Sequence, residues 1–125
     1  MPADKKLQER LVEEFGKRYL DRVELPQYFY TSLSRTLRPY QDECFRYFTT
    51  FISEPFEGKP LRPHLLFHMA TGSGKTLVMA GAMLYLYEQG YRNFLFFVDS
   101  TNIVEKTRDN FLNPASDKYL FAKKI

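Results

Sequence analysis

Residues 64–76 constrain this chain more than any other stretch: His-Leu-Leu-Phe-His-Met-Ala-Thr-Gly-Ser-Gly-Lys-Thr. An apolar run leads into a glycine-rich turn, and Lys75 and Thr76 stand where a helix can begin. Gly72 and Gly74 let the backbone curl so that consecutive N–H groups point inward, where a side chain would block an anion. Lys75 supplies a point charge for terminal phosphates, and the start of the following helix adds its positive dipole end. The stretch therefore reads as a phosphate-binding loop formed by Thr71, Gly72, Ser73, Gly74, Lys75 and Thr76, with the Thr76 hydroxyl available to Mg²⁺. Met69 stands where the strict pattern has its first glycine, which weighs against a kinase or small GTPase.

The chain has 125 residues, 44% of them hydrophobic, enough for one domain with a true core. Cys44 is the sole cysteine, so no internal disulfide forms, and the first residues lack the apolar stretch of a signal peptide. No apolar run approaches the roughly 20 residues that span a bilayer. These features lead us to expect a soluble, cytoplasmic protein. A formal net charge of +3 permits contact with nucleic acid without demonstrating it.

Along residues 4–22, Leu7, Leu11 and Phe15 recur at every fourth position, which predicts an amphipathic helix weakened by Gly16. Residues 23–36 contain Pro26 and a polar cluster and read as a connecting segment. Pro39 suits a first helical turn, after which Tyr40, Cys44, Tyr47, Phe48 and Phe51 fall on one face. Pro55, Gly58, Pro60 and Pro63 make residues 53–63 a loop. Residues 65–69 and 94–98 are unbroken apolar runs, as strands buried on both faces would be. Between them, residues 75–89 are apolar almost all round, with small residues at Ala80, Gly81 and Ala82. Strand, loop, helix, strand predicts a βαβ unit, and hence an α/β fold with a parallel sheet and flanking helices. Ser100 or Thr101 can cap a further helix that Asn113-Pro114 ends, and residues 118–125 could open a third strand. A sheet of two or three strands leaves an apolar surface uncovered, so self-association is plausible.

Leu37-Arg38-Pro39-Tyr40-Gln41, followed some thirty residues later by Met69-Ala70-Thr71-Gly72-Ser73-Gly74-Lys75-Thr76, resembles the front of a superfamily 2 helicase motor. More narrowly, it is similar to the Res subunit of type III restriction enzymes and its DEAD/DEAH-like relatives. The resemblance implies the front part of a first RecA-like ATPase lobe over residues 37–125, preceded by an N-terminal helix and connecting segment over 1–36. It further implies that ATP and Mg²⁺ are the cofactors. Arg38 would lie against the adenine ring and Gln41 would hydrogen-bond its edge, while Lys75 would serve catalysis at the phosphates. Residues 94–107 are similar to the family's strand-to-helix element that touches the nucleic-acid backbone, through Ser100, Thr101 and Asn102. Helix capping alone would also explain the first two of these.

The family's Asp-Glu metal-binding strand element does not follow the second apolar run; Asp42-Glu43 lies on the helix after Gln41. The resemblance thus implies an ATP-binding part of a longer DNA-dependent translocase. Double-stranded DNA and a modification methyltransferase subunit would be the partners of the intact enzyme, and hydrolysis, translocation and endonuclease chemistry would need the remainder. Two other readings stay open. One is a complete small P-loop enzyme that uses Asp99 as metal ligand or base. The other is a non-catalytic adaptor that keeps the loop as scaffold. His68, at the end of the first apolar run, reads as a packed or capped histidine and His64 as a loop-edge residue; Cys44, with neither a His nor a second Cys at ligand spacing, reads as a small hydrophobe.

Overall fold

The computed structural model describes residues 5–70, 72–98 and 100–122. The predicted N-terminal helix is divided by its glycine. Helix α1 (Leu7–Phe15) ends where Gly16 adopts φ +89°, and α2 (Lys17–Asp21) turns back from that point. A single turn, α3 (Tyr28–Thr31), interrupts the connecting segment. Helix α4 (Pro39–Ser53) begins at the proline, whose missing N–H is no loss in a first turn. Helix α5 (Lys75–Glu88) follows the glycine loop, and α6 (Thr101–Leu112) is capped by Ser100, whose hydroxyl accepts from the Ile103 N–H at 3.3 Å.

Three apolar clusters hold these helices together. The central one joins Leu25 and Phe29 to Phe45 and Phe48 of α4 and to Val78 and Tyr85 of α5. Phe29 and Phe45 lie 4.7 Å apart between ring centroids, and Phe48 meets Tyr85 edge-on at 5.7 Å. Such aromatic pairs contribute beyond their buried area. A second cluster places Leu33, Leu120 and Phe121 on another side of α5, against Leu77, Ala80 and Leu84. Two buried sides on one helix account for the nearly all-round apolarity of residues 75–89. The third cluster packs Leu11 of α1 and Leu20 of α2 on Phe51.

Beyond α4, the 53–63 loop is held by Lys59. Its ammonium donates to the carbonyls of Ile52 and Glu54 at 3.0 and 2.9 Å and sits over the rings of Phe51 and Phe56. The charge thus satisfies carbonyls that the end of α4 leaves open.

The structure corrects the expected α/β fold: among the described residues there is no strand and no parallel sheet, and the elements are all helices. Residues 65–69 and 94–98 run without regular pairing, with Leu66 89%, Leu95 85% and Phe97 86% exposed. Parallel strands are stable when neighbours pair with them and helices cover both faces. Here the helices pack on one another instead, α4 directly on α5. Of the first run, Leu65 and Met69 pack against the clusters and the Phe67 ring meets Phe48 at 5.9 Å, while no residue of the second run belongs to a cluster. The RecA-like lobe inferred from the sequence is therefore not the architecture of this chain. The tail makes one antiparallel bridge, Leu33 with Phe121, where a third strand was expected. Among the described residues, no helix is long and apolar enough to cross a membrane.

Helix α4 passes α5 at Gly81, where an added Cβ would come within 2.3 Å of the Phe45 ring. Gly81→Val should therefore destabilise the chain by about 1–3 kcal/mol, read as a lower urea midpoint. Burial, reinforced by the negative charge of Glu43, pushes the Cys44 thiol up to about 11. At pH 8 the thiolate is then scarce, and alkylation by iodoacetamide should run about a hundredfold slower in the folded chain than in urea.

Candidate functional site: the glycine loop between α4 and α5

The first turn of α4 lies against the glycine loop and hydrogen-bonds its carbonyls one after another. Arg38 Nη1 donates to the Gly72 carbonyl at 3.2 Å, and the Tyr40 hydroxyl donates to that of Ser73 at 2.5 Å. Gln41 Nε2 reaches the carbonyls of Ser73 and Gly74 at 3.3 and 3.4 Å. Arg38 Nη1 also donates to the Tyr40 hydroxyl at 2.8 Å, so the two side chains act together. Within the loop, Ser73 closes a turn: its N–H and hydroxyl both reach the Ala70 carbonyl, at 3.1 and 2.5 Å.

This arrangement determines which way the loop presents its donors. In a trans peptide the C=O of one residue and the N–H of the next point in opposite directions. Carbonyls held toward α4 at Ser73 and Gly74 therefore send the N–H groups of Gly74 and Lys75 to the side away from α4. Helix α5 starts there with no side chain capping it, and Lys75 is exposed beside half-buried Thr76. The first N–H groups of a helix have no intrahelical partner, and its dipole favours negative charge. A Cβ added to Gly72 (φ +81°) would meet nothing within 4 Å, so the loop has open ground above it. These residues fit a phosphate group, and Thr76, the second residue of α5, places a hydroxyl beside them.

Of the residues expected to form the site, Arg38, Gln41, Gly72, Ser73, Gly74, Lys75 and Thr76 come together at this junction. Thr71 and Asp99 lie outside the described residues. Gln41 is 2% exposed, and its amide oxygen accepts the Arg38 backbone N–H at 2.9 Å. Both ends of the amide expected to meet adenine are thus engaged within the protein. Ser100 is occupied in capping α6, while Thr101 and Asn102 are exposed on its first turn.

The sequence reading placed Tyr40 on the buried stripe of α4 and missed its contact with the loop. Its ring is 44% exposed, because the second position of a helix lies at the end of the core face and here faces the loop. Proline at the first helical position was the available signal, since it fixes where the helix starts. Gln41 and Phe45, the inward residues of that first stretch, are spaced by four, with Phe48 three further on.

Gly74 carries a tighter demand than Gly72. It adopts a left-handed conformation (φ +84°, ψ 37°), and a Cβ there would fall inside contact distance of the Gln41 amide nitrogen. Gly74→Ala should cost about 1–2 kcal/mol in backbone strain alone. Asn tolerates left-handed backbone but brings the same Cβ. Urea denaturation should therefore find Gly74→Asn clearly destabilised and Gly72→Asn nearly neutral.

The family model described as type III restriction enzyme, res subunit, matches residues 34–125, from just before the first turn of α4 onward. The probable type III restriction-modification enzyme HindVIP Res subunit of Haemophilus influenzae is 60% identical over 62 residues, which make up 50% of this chain. This chain covers only 12% of that protein's length. No solved structure matches the chain. With most of its length matched by the family model, the chain belongs to the family of type III restriction enzyme Res subunits.

Proposed function

We propose that this chain holds ATP for the DNA-dependent motor of a type III restriction-modification enzyme. The observation that carries the reading is the loop itself: its carbonyls are drawn to α4 and its donors face the uncapped start of α5. The phosphates would rest on the N–H groups of Gly74, Lys75 and Thr76, with the Lys75 ammonium on the terminal phosphates. Thr76 would offer its hydroxyl to Mg²⁺, whose other ligands would be phosphate oxygens and water. Arg38, exposed at the edge of the junction, would lie against the adenine ring, and Gln41 would read the adenine edge by exchanging a loop carbonyl for the base.

The DNA contact is proposed for the exposed start of α6. Thr101 and Asn102 offer a hydroxyl and an amide beside a helix N-terminus, groups suited to backbone phosphates, and Ser100 fixes that turn by capping it. Double-stranded DNA and a modification methyltransferase subunit would be partners of the whole enzyme. Bound nucleotide supplies the phosphoryl-transfer chemistry. This chain's residues bind and orient the nucleotide, and turnover and DNA translocation require further catalytic groups.

Adding ATP with Mg²⁺ to the purified chain tests the reading, with thermal stability and phosphate release followed together. At a hundredfold excess over the dissociation constant, binding should stabilise the fold by about 2.7 kcal/mol and raise Tm by roughly 10 °C. Lys75→Ala should abolish the shift, and no phosphate should be released. Turnover that depends on Lys75 and Asp99 would instead identify a complete small P-loop enzyme. A scaffold that binds no nucleotide would show no shift at all.

A further inference from the structure

Resting on the nucleotide reading above, the geometry points to Tyr40 as the positioning residue of the phosphate loop. Its hydroxyl holds the Ser73–Gly74 peptide so that the Gly74 N–H faces the anion. The assignment comes from the order of the hydrogen bonds. Tyr40 donates its single proton to the Ser73 carbonyl at 2.5 Å and accepts from Arg38 Nη1 at 2.8 Å. A guanidinium donor polarises the hydroxyl and makes it a stronger donor in turn. Gln41 reaches the same carbonyl at 3.3 Å, a longer and weaker bond that it divides with the Gly74 carbonyl.

The peptide in question is the one that most needs holding. It joins Ser73 to Gly74, and glycine rotates freely about both of its backbone bonds. If the Ser73–Gly74 peptide flipped, its carbonyl oxygen would replace the N–H on the anion side and repel the phosphate. Tyr40 therefore acts through the backbone of the loop without touching the ligand. Its ring is 44% exposed and none of the apolar clusters includes it, so the hydroxyl can be removed with little loss of packing.

Isothermal titration of the full chain with inorganic tripolyphosphate and Mg²⁺ tests this, comparing the unaltered chain with Tyr40→Phe and Lys75→Ala. Tyr40→Phe should weaken binding about tenfold, as loss of one charge-assisted hydrogen bond implies, with the ligand-free Tm within about 2 °C of the parent. Amide spectra at saturating tripolyphosphate give a readout that a packing role would not move. The Gly74 amide proton should shift strongly downfield in the unaltered chain and much less in Tyr40→Phe, while amides of α4 beyond its first turn match. Arg38→Gln, which removes the guanidinium that polarises Tyr40, should reproduce the smaller Gly74 shift. Binding that needs Lys75 but is unchanged by Tyr40→Phe, or an unaltered Gly74 shift, would overturn the assignment and leave the nucleotide reading standing. Failure of the unaltered chain to bind tripolyphosphate and ATP would overturn both.

Discussion

Everything at the site depends on the contact between the first turn of α4 and three consecutive carbonyls of the glycine loop. A glycine-rich turn has no conformation of its own to defend, since Gly72 and Gly74 both take positive φ and could take negative φ as easily. Arg38, Tyr40 and Gln41 select one conformation by engaging the carbonyls of Gly72, Ser73 and Gly74. Those donors are themselves placed by the body of α4. Phe45, one turn beyond Gln41, packs against Gly81 of α5 and the ring of Phe29, which fixes how closely the two helices approach. Large residue against small residue sets the helix pair, the helix pair sets the first turn, and the first turn sets the loop.

The rest of the chain braces that pair. Helices α1 and α2 close over Phe51 at the far end of α4, and the break at Gly16 lets both bury a leucine there. On the other side of α5, the tail folds back along residues 32–34. The Ser34 N–H donates to the Leu120 carbonyl and the Ala122 N–H to that of Ser32, both at 2.8 Å. Leu33 is thereby pinned against Leu77 and Leu84, and half-buried Leu37, just ahead of α4, touches the clusters on both sides. The segment leading into the first turn of α4 is thus held from its two flanks.

Helices were legible in the sequence because their signals are local. Pro39 marked the start of α4 and Ser100 or Thr101 the cap of α6, each through a neighbour within four residues, whereas Gly16, read only as weakening a single helix over residues 4–22, divides it in two. The glycine loop is a local pattern too, and its described residues, Gly72 to Thr76, lie at one junction. The strands were misread because an unbroken apolar run carries no period that separates strand from other buried structure. Residues 65–69 and 94–98 have the composition of parallel strands, yet pairing depends on neighbours distant in sequence, which no local pattern reports. Tyr40 was misplaced by a related limit. Helical spacing assigns a residue to a face but cannot say that the face ends, one turn from the helix start, against a loop thirty residues further on.

The burial of Gln41 bears directly on how a base could be read at this site. A glutamine amide has two N–H donors and one oxygen with two lone pairs. Here the oxygen accepts the Arg38 backbone N–H at 2.9 Å, and the nitrogen reaches two loop carbonyls at 3.3 and 3.4 Å. The short bond fixes the start of α4; the long ones are the weaker and the easier to exchange. If Gln41 turns its amino group to a base, the Ser73 carbonyl keeps Tyr40 as its partner, whereas the Gly74 carbonyl keeps only the Val78 N–H of its own helix, at 3.2 Å. Base recognition would then draw on the bonds the loop can spare and leave in place the one that orients its donors. The division of labour follows from bond length and burial: the exposed tyrosine holds the loop, and the buried glutamine is the group with something to give up.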